Sequence, residues 1–261
     1  MEANEYGVCR LSVVSMRSEP SPLAPQLNQL LFGDHYTVLA TEGDWLRVRV
    51  YTDQSEGWIW QPHHHAITPE YFDHVNKVDF KITTDLSSVL LYKKMPMSIV
   101  LGSIVPISSA ELFANDEQFA FAGESKSLGQ QRDVDFLKAI ALKYLHAPYL
   151  AGGKTPFGID AAAFVQMVFK LTGYPLRRTC SAMLEQGRKV KSVDEAAPGD
   201  VLFFPVGTDW HPAILLDGQR LIHQTEWVRV ETLAPEGTLP PEGSRPALRV
   251  AEVRRFLAGR K

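Results

Sequence analysis

The C-terminal half of the chain carries residues whose types and spacing suit acid–base chemistry. Asp160 stands at the predicted start of a helix, and His211 and His223 flank a predicted hairpin turn. A helix start favours a thiolate nucleophile, because its unpaired N–H groups and dipole attract negative charge. A histidine oriented by a second polar group could serve that nucleophile as base. The residue after Asp160, however, is Ala161, and a methyl group cannot attack a carbonyl.

Hairpin geometry offers a test of whether the two histidines meet. A three-residue loop at Leu216–Gly218, with Gly218 in the left-handed conformation, would place His211 directly opposite His223. Opposed side chains have Cβ atoms about 5 Å apart, so one ring could orient the other. A two-residue loop at Asp217-Gly218 would put the histidines on opposite faces. The catalytic interpretation therefore predicts the three-residue loop.

The elements that must position these residues are first helical and then stranded. Apolar residues at helical spacing predict one helix from Asp133 and a second from about Ala161 to Leu171, with Asp160 as its N-cap and Gly173 at its end. Apolar runs after this point predict strands at Val201–Phe204, Ala213–Leu216 and Arg220–His223. This order is typical of an α+β domain.

The N-terminal half has a different pattern. Within residues 6–60, turn residues separate short apolar runs, which predicts a small β-barrel. The predicted strands are Val8–Val14, Tyr36–Ala40, Trp45–Val50 and Gly57–Trp60. Residues 66–127 are interpreted as a second, degenerate barrel or an irregular linker domain, with strands at Val89–Tyr92, Ile99–Ile107 and Phe119–Phe121. Pro96, Gly102 and Pro106 interrupt the first two of these strands.

Composition limits the function classes. The 261 residues are 45% hydrophobic and 22% charged with a net charge of −3, so a globular protein is indicated and a nucleic-acid partner is not. No apolar run reaches the roughly 18 residues of a membrane span. Residues 1–6 do not resemble a secretory signal, so we expect a cytoplasmic protein, or a periplasmic one if an upstream signal was removed.

Other polar side chains receive structural interpretations. Cys9 and Cys180 are the only cysteines and are expected to be buried small hydrophobes. His63-His64-His65 is expected to be a solvated loop, because adjacent residues rarely converge on one ion. Neither a metal site nor a cofactor is predicted.

The motif around Asp160 resembles the signature of NlpC-type cell-wall cysteine peptidases. Tyr149, Gly152-Gly153, Gly158-Ile159-Asp160 and Phe164 match it, and Pro198-Gly199-Asp200 resembles the start of a downstream family strand. The family's Trp, Cys, Ser and Gly fall on Ala151, Ala161, Ala162 and Ala163. The resemblance implies a papain-like α+β domain over residues 128–261. It makes Ala161 the substituted nucleophile position, His211 the base, His223 the orienting residue and Tyr149 an oxyanion-stabilising residue.

The N-terminal segment resembles a bacterial SH3-like domain over residues 1–65, on Met16–Pro20, Leu30–Asp34, Asp44–Val48 and Glu56–Ile59. That order of domains is similar to the γ-D-glutamyl-L-diamino acid endopeptidases (dipeptidyl-peptidase VI), which cut peptidoglycan stem peptides with a free L-Ala. The resemblance implies that Glu19, Asp160 and the position of Ser55, a Tyr in that group, read the L-Ala ammonium. Ala162, at the family's Ser position, is assigned to the same substrate cleft.

These observations favour a catalytically inactive homologue that binds the stem peptide L-Ala-γ-D-Glu-diamino acid, or a protein partner, through the retained cleft. The alternative is an active endopeptidase whose nucleophile was mutated to Ala161. A third class is a structural interaction protein, whose cleft would be filled by its own side chains.

Overall fold

The computed structural model describes residues 5–105, 119–240 and 246–257. The chain divides into two compact units, Met1–Gln130 with Ala151–Pro156 and Gln131–Leu150 with Phe157–Lys261. The short segment Ala151–Pro156 therefore belongs to the first unit, although its neighbours in sequence on both sides belong to the second. The predicted boundary between residues 65 and 66 is not a division between compact units and stays a prediction.

The first unit begins with a seven-stranded antiparallel sheet in the order β3-β2-β6-β5-β4-β1-β7. Its strands are β1 (Glu5–Val8), β2 (Val13–Arg17), β3 (Gln26–Leu31), β4 (His35–Glu42), β5 (Trp45–Val50), β6 (Glu56–Trp60) and β7 (Ala66–Ile67). Alternation is clear in β5, where Leu46, Val48 and Val50 are buried and Arg47 and Arg49 are exposed. The predicted single run at Val8–Val14 is instead divided between β1 and β2.

The rest of the first unit contains a short helix and two three-stranded sheets. Helix α1 (Pro69–Val75) is N-capped by the Thr68 hydroxyl, which accepts from Tyr71 N. The sheets run β10-β9-β12 and β11-β8-β13. Their strands are β8 (Lys81–Thr83), β9 (Ser87–Tyr92), β10 (Met95–Val100), β11 (Ile104–Val105), β12 (Phe119–Ala122) and β13 (Ser125–Ser127). Whether they count as a second barrel stays a prediction.

The strand predicted at Ile99–Ile107 is interrupted. Strand β10 ends at Val100, and β11 starts only at Ile104. Gly102 lies between them at φ 87°, a left-handed conformation that glycine adopts at low cost. Pro106 and Ile107 lie outside the described residues. The chain therefore turns at Gly102, one of the residues that the sequence indicated as interrupting this strand.

A buried charged cluster fixes the segment Ala151–Pro156 in the first unit. Lys154 Nζ lies 3.5 Å from Asp53 Oδ2 and 3.8 Å from Asp34 Oδ2, and all three side chains are buried. The Lys154 backbone N–H donates to Gln29 Oε1 at 2.8 Å. A buried ammonium needs such partners, because an unpaired charge is costly away from water.

The second unit opens with its helices. They are α2 (Val134–Lys143), α3 (Ala161–Thr172) and α4 (Cys180–Leu184). Helix α3 starts at the Asp160 cap and ends at Gly173, whose φ of 91° matches a left-handed C-cap, as predicted. Every residue from Ala163 to Thr172 is buried, so α3 is a central helix, and it packs against α2 and the main sheet.

The main sheet of the second unit has six strands in the order β16-β23-β17-β18-β19-β20. The strands that follow β13 in the chain are β14 (Lys154–Thr155), β15 (Gly158–Ile159), β16 (Arg188–Lys189), β17 (Val201–Val206), β18 (Asp209–Asp217), β19 (Arg220–Gln224), β20 (Val228–Thr232), β21 (Thr238–Leu239), β22 (Leu248–Arg249) and β23 (Glu252–Arg255). The helices and this sheet form the α+β domain that the sequence predicted. None of the described helices is long and apolar enough to cross a membrane.

Candidate functional site

Two histidines meet on neighbouring strands of the main sheet. Nε2 of His211, on β18, lies 2.8 Å from Nδ1 of His223, on β19. The ring centroids are 5.1 Å apart and the planes cross at 80°. His223 is fully buried and His211 is half-buried. The pair can therefore share a proton, and His223 can orient the ring of His211.

The hairpin that brings them together differs from the predicted one. Asp217 pairs with Arg220, so the loop is the two residues Gly218 and Gln219 rather than Leu216–Gly218. Ala213, not His211, is the register partner of His223. Our predicted loop and register were wrong, although Gly218 does adopt a left-handed conformation, with φ 45°.

A β-bulge explains why the histidines still share a face. The register shifts between Leu215 and Asp217, so Leu216 is an extra residue on β18. A two-residue loop without the bulge would leave His211 and His223 on opposite faces. With the bulge they are diagonal neighbours, a spacing that long or aromatic side chains can bridge.

Glu231 on β20 is a third member of this group, and it was not among the predicted residues. Its Oε1 lies 3.3 Å from Nε2 of His223, off the line of the N–H bond, and 2.6 Å from Nε of Arg229. Strand β20 pairs with β19 so that Arg229 faces His223, which places Glu231 one diagonal step away. The alternating charges of Arg229 and Glu231 beside a histidine strand were the available signal.

The start of α3 is fixed by Asp160. Its Oδ1 accepts from Ala163 N at 2.8 Å and from Arg178 Nη1 at 3.1 Å, and its Oδ2 pairs with Arg178 Nη2. The Arg178 side chain is mostly buried, so this is a desolvated, bidentate ion pair. Arg178 was not among the predicted residues. The predicted ammonium-reading role of Asp160 stays a prediction, and Arg178 already offsets its charge.

Tyr149 is held beside the same helix start. The backbone on both sides of Tyr149 bonds to Ile159, the residue before Asp160: Ile159 N donates to Pro148 O at 3.0 Å, and Leu150 N donates to Ile159 O at 3.2 Å. The Tyr149 side chain remains exposed. The phenol can therefore reach a ligand that lies over the helix start.

These residues line one cleft in the second unit, with a volume of about 410 Å³. Its lining comprises Tyr149, Asp160, Ala161, Ala162, Arg178, Thr179, Cys180, Ser181, Thr208, Asp209 and Trp210. Trp210 directly precedes His211, and α3 packs against both histidine strands. The structure thus brings the helix start to the strand that carries His211, while His211 itself is not part of the lining.

Cys180 lines the cleft without being activated. Burial, together with the nearby Asp160 carboxylate, raises the pKa of its thiol to about 12. A neutral thiol is a poor nucleophile. Cys180 is only partly buried by exposed area, whereas Cys9 is fully buried, so the expected burial is met fully only at Cys9.

The remaining predicted positions lie in the first unit. Glu19 is exposed. The Ser55 hydroxyl donates to Asp53 Oδ1 at 2.6 Å and accepts from Asn28 Nδ2 at 2.8 Å, so it is engaged inside its own sheet. The roles of Glu19 and Ser55 in ligand binding stay predictions.

The histidine run is not the solvated loop that we expected. His64 is mostly buried, and its Nδ1 lies 3.1 Å from the Tyr36 hydroxyl. Burial lowers the pKa of His64. Within the described ranges, no cluster of three or more His, Cys, Asp or Glu side chains is arranged to hold a metal ion.

The family comparisons agree with this arrangement of domains. Residues 12–64 match the bacterial SH3 domain family, and residues 146–239 match the NlpC/P60 family. The chain therefore carries a bacterial SH3-type barrel followed by an NlpC/P60 domain of α+β fold, and the predicted fold class is confirmed.

Individual relatives extend over most of the chain. A γ-D-glutamyl-L-lysine dipeptidyl-peptidase of Bacillus subtilis (strain 168) is 25% identical over 219 residues, which cover 75% of this chain and 71% of that protein. Dipeptidyl-peptidase 6 of Lysinibacillus sphaericus is 25% identical over 238 residues, covering 81% of this chain and 84% of that protein.

A solved structure has the same fold. The crystal structure of an NlpC/P60 family protein from Bacillus cereus ATCC 10987 covers 97% of this chain and is itself covered completely, with a TM-score of 0.77 at 18% identity. At that identity the likeness concerns the fold.

Proposed function

We propose that this protein is a catalytically inactive homologue of a peptidoglycan stem-peptide endopeptidase. It binds L-Ala-γ-D-Glu-diamino acid peptides through the cleft of the second unit. The observation that carries the proposal is Ala161 at the start of α3, in the lining of an open cleft that also presents Tyr149. A methyl group at that position supplies no nucleophile.

The named relatives support the choice of ligand. Two of them are dipeptidyl-peptidases, one named for γ-D-glutamyl-L-lysine, and each matches at least 75% of this chain. The retained histidine pair and the Asp160 cap support descent from an active enzyme.

The second candidate is an active endopeptidase of the same kind whose nucleophile was mutated to Ala161. The hydrogen-bonded histidines favour it, because a base and its orienting group have no catalytic use without a nucleophile. A Cys codon at position 161 of the native gene would decide for this candidate. A purely structural role has less support, because a cleft of about 410 Å³ is not filled by its own side chains.

Isothermal titration tests the binding proposal on the full chain. The ligand is L-Ala-γ-D-Glu-diaminopimelate at millimolar concentration. The test variant, Ala161→Trp, places an indole in the cleft. The control variant, Ala251→Trp, adds the same side chain at an exposed position of the second unit. We expect saturable heat from the parent and from Ala251→Trp, and at least tenfold weaker binding, about 1.4 kcal/mol, for Ala161→Trp.

No saturable heat from the folded parent would reject the proposal. Equal binding by Ala161→Trp and the parent would also reject it, since the ligand would then lie outside the cleft. Thermal melting of each variant establishes that it is folded.

A further inference from the structure

The contact between the two imidazoles holds a single proton, and its position decides which nitrogen of the pair is basic. Nε2 of His211 and Nδ1 of His223 are 2.8 Å apart, so one of them must carry the hydrogen when both rings are neutral. In the first arrangement His211 carries it on Nε2, and His223 carries its own proton on Nε2. In the second, His223 carries its proton on Nδ1, and its Nε2 bears a lone pair.

Glu231 distinguishes the two arrangements. Its Oε1 lies 3.3 Å from His223 Nε2, which is buried and has no in-line hydrogen-bond partner among the described residues. In the first arrangement the hydrogen of an N–H group lies close to the carboxylate, although the oxygen is off the line of the bond, and this is favourable. In the second a lone pair faces it, which is repulsive, and burial strengthens both effects.

Arg229 keeps this carboxylate charged and in place. Its Nε lies 2.6 Å from Glu231 Oε1. The Arg229 guanidinium also lies over the Trp227 ring, 5.0 Å from its centroid, and 3.5 Å from Glu226 Oε2. An ionised, mostly buried carboxylate with a fixed partner is a preorganised charge.

We propose that Glu231 is a positioning residue for the histidine pair: its charge holds the His223 proton on Nε2 and so makes Nδ1 of His211 the basic nitrogen. The effect passes through His223, since Glu231 stands behind that ring. Glu231 would set the proton state of the pair whether or not the cleft binds a stem peptide.

The direct test is long-range ¹H–¹⁵N NMR of histidine side chains in the full chain at pH 8. The variants are Glu231→Gln, Glu231→Asp and, as a matched control, Glu252→Gln. Glu252 lies in the same unit, is similarly shielded and is ion-paired to Lys189 at 2.7 Å. We expect the parent and Glu252→Gln to show His223 protonated on Nε2. Glu231→Gln should lower the ratio of Nε2–H to Nδ1–H in His223 at least about tenfold relative to the parent. Glu231→Asp, which keeps the charge, should retain most of the parent's ratio.

Three results would overturn the proposal. The first is protonation of His223 on Nδ1 in the parent. The second is a ratio of Nε2–H to Nδ1–H in folded Glu231→Gln that equals the ratio in Glu252→Gln. The third is an equal fall of that ratio in Glu231→Gln and Glu231→Asp. The last would mean that shape rather than charge matters. If Glu231→Gln fails to fold, Glu231→Met provides the second test, because it also removes the negative charge beside His223, and the same fall in ratio is expected.

A kinetic readout in the Ala161→Cys background separates positioning from mere stability. There, Glu231→Gln should lower kcat with KM unchanged. An unchanged kcat in a folded Glu231→Gln variant would count against the proposal.

Discussion

His211 and His223 lie ring to ring although neither is the register partner of the other, because His223 pairs with Ala213 across β18 and β19. The two residues are diagonal neighbours, and their side chains are long enough for the rings to meet. The geometry of this contact suits a base that is held by a second ring. Helix α3, which starts at Ala161, packs against both of the strands that carry the two rings.

Restoring a thiol should restore chemistry. We expect Ala161→Cys to hydrolyse L-Ala-γ-D-Glu-diaminopimelate, measured by chromatography of the products, because the helix start, Tyr149 and the histidine pair are retained. Adding His211→Ala should lower that rate by roughly 10²–10⁴-fold, the contribution of a general base.

The matched control for this variant is Ala162→Cys, which places a thiol in the same cleft one residue further along α3. It should remain inactive. Equal activity of both variants would show that hydrolysis does not depend on a thiol at the start of α3. Inactivity of both would show that the cleft no longer supports hydrolysis.

Asp160 should be among the most important side chains for the stability of the second unit. Asp160→Asn keeps a good N-cap but leaves Arg178 buried without its carboxylate, which costs about 3–5 kcal/mol. Asp160→Ala should cost about 1 kcal/mol more, since it also removes the cap.

Urea unfolding of the two Asp160 variants measures the free energy lost with the ion pair and the free energy lost with the N-cap. Thr179→Ala, which removes only the cap of α4, is the control and should cost about 1 kcal/mol. If Asp160→Asn were as stable as the parent, the ion pair with Arg178 would contribute nothing net.

Lys154 should be equally important in the first unit. Lys154→Met keeps the length of the side chain but leaves the buried Asp34 and Asp53 without their cation, so we expect a loss of about 3–5 kcal/mol in chemical denaturation. Lys189→Met removes an exposed lysine that is ion-paired to Glu252, and it should cost no more than about 1 kcal/mol. A similar small loss for Lys154→Met would contradict the assignment of a buried ionic cluster.

Both native thiols should resist alkylation near neutral pH. Burial raises the pKa of Cys9 and of Cys180 to about 12, so their thiolate fractions at pH 8 are small and grow only as pH rises towards that value. Iodoacetamide should modify the folded chain about a thousandfold more slowly than an unperturbed cysteine. Rapid labelling of Cys180 at pH 8, read by peptide mass spectrometry, would contradict this expectation and would show an activated thiol in the cleft.

The sequence predicted the site well where local rules decide. The Asp160 cap, the Gly173 stop and the left-handed Gly218 each follow from one residue type in one backbone conformation. The two histidines were predicted on one face from a three-residue loop, whereas a bulge at Leu216 places them there. The bulge could not be predicted, because Leu216 lies in a run of apolar residues without a turn residue.

Long-range partners were the part that local rules could not supply. Arg178 reaches Asp160 from beyond the end of α3, and Glu231 reaches His223 from the next strand, so each depends on tertiary packing. The assignment of Lys154 to the first unit is of the same kind, since the NlpC-like motif on both sides of it indicated the second.

The extra residue at Leu216 also limits how this hairpin can change in length. Strand side chains alternate between faces at every step, so adding or removing one residue between His211 and His223 turns one ring to the other face of the sheet. The two rings stay on the same face only if the hairpin changes by two residues, or if a change of one residue is accompanied by loss of the bulge. Length variation among homologous hairpins that retain both histidines should therefore come in even steps.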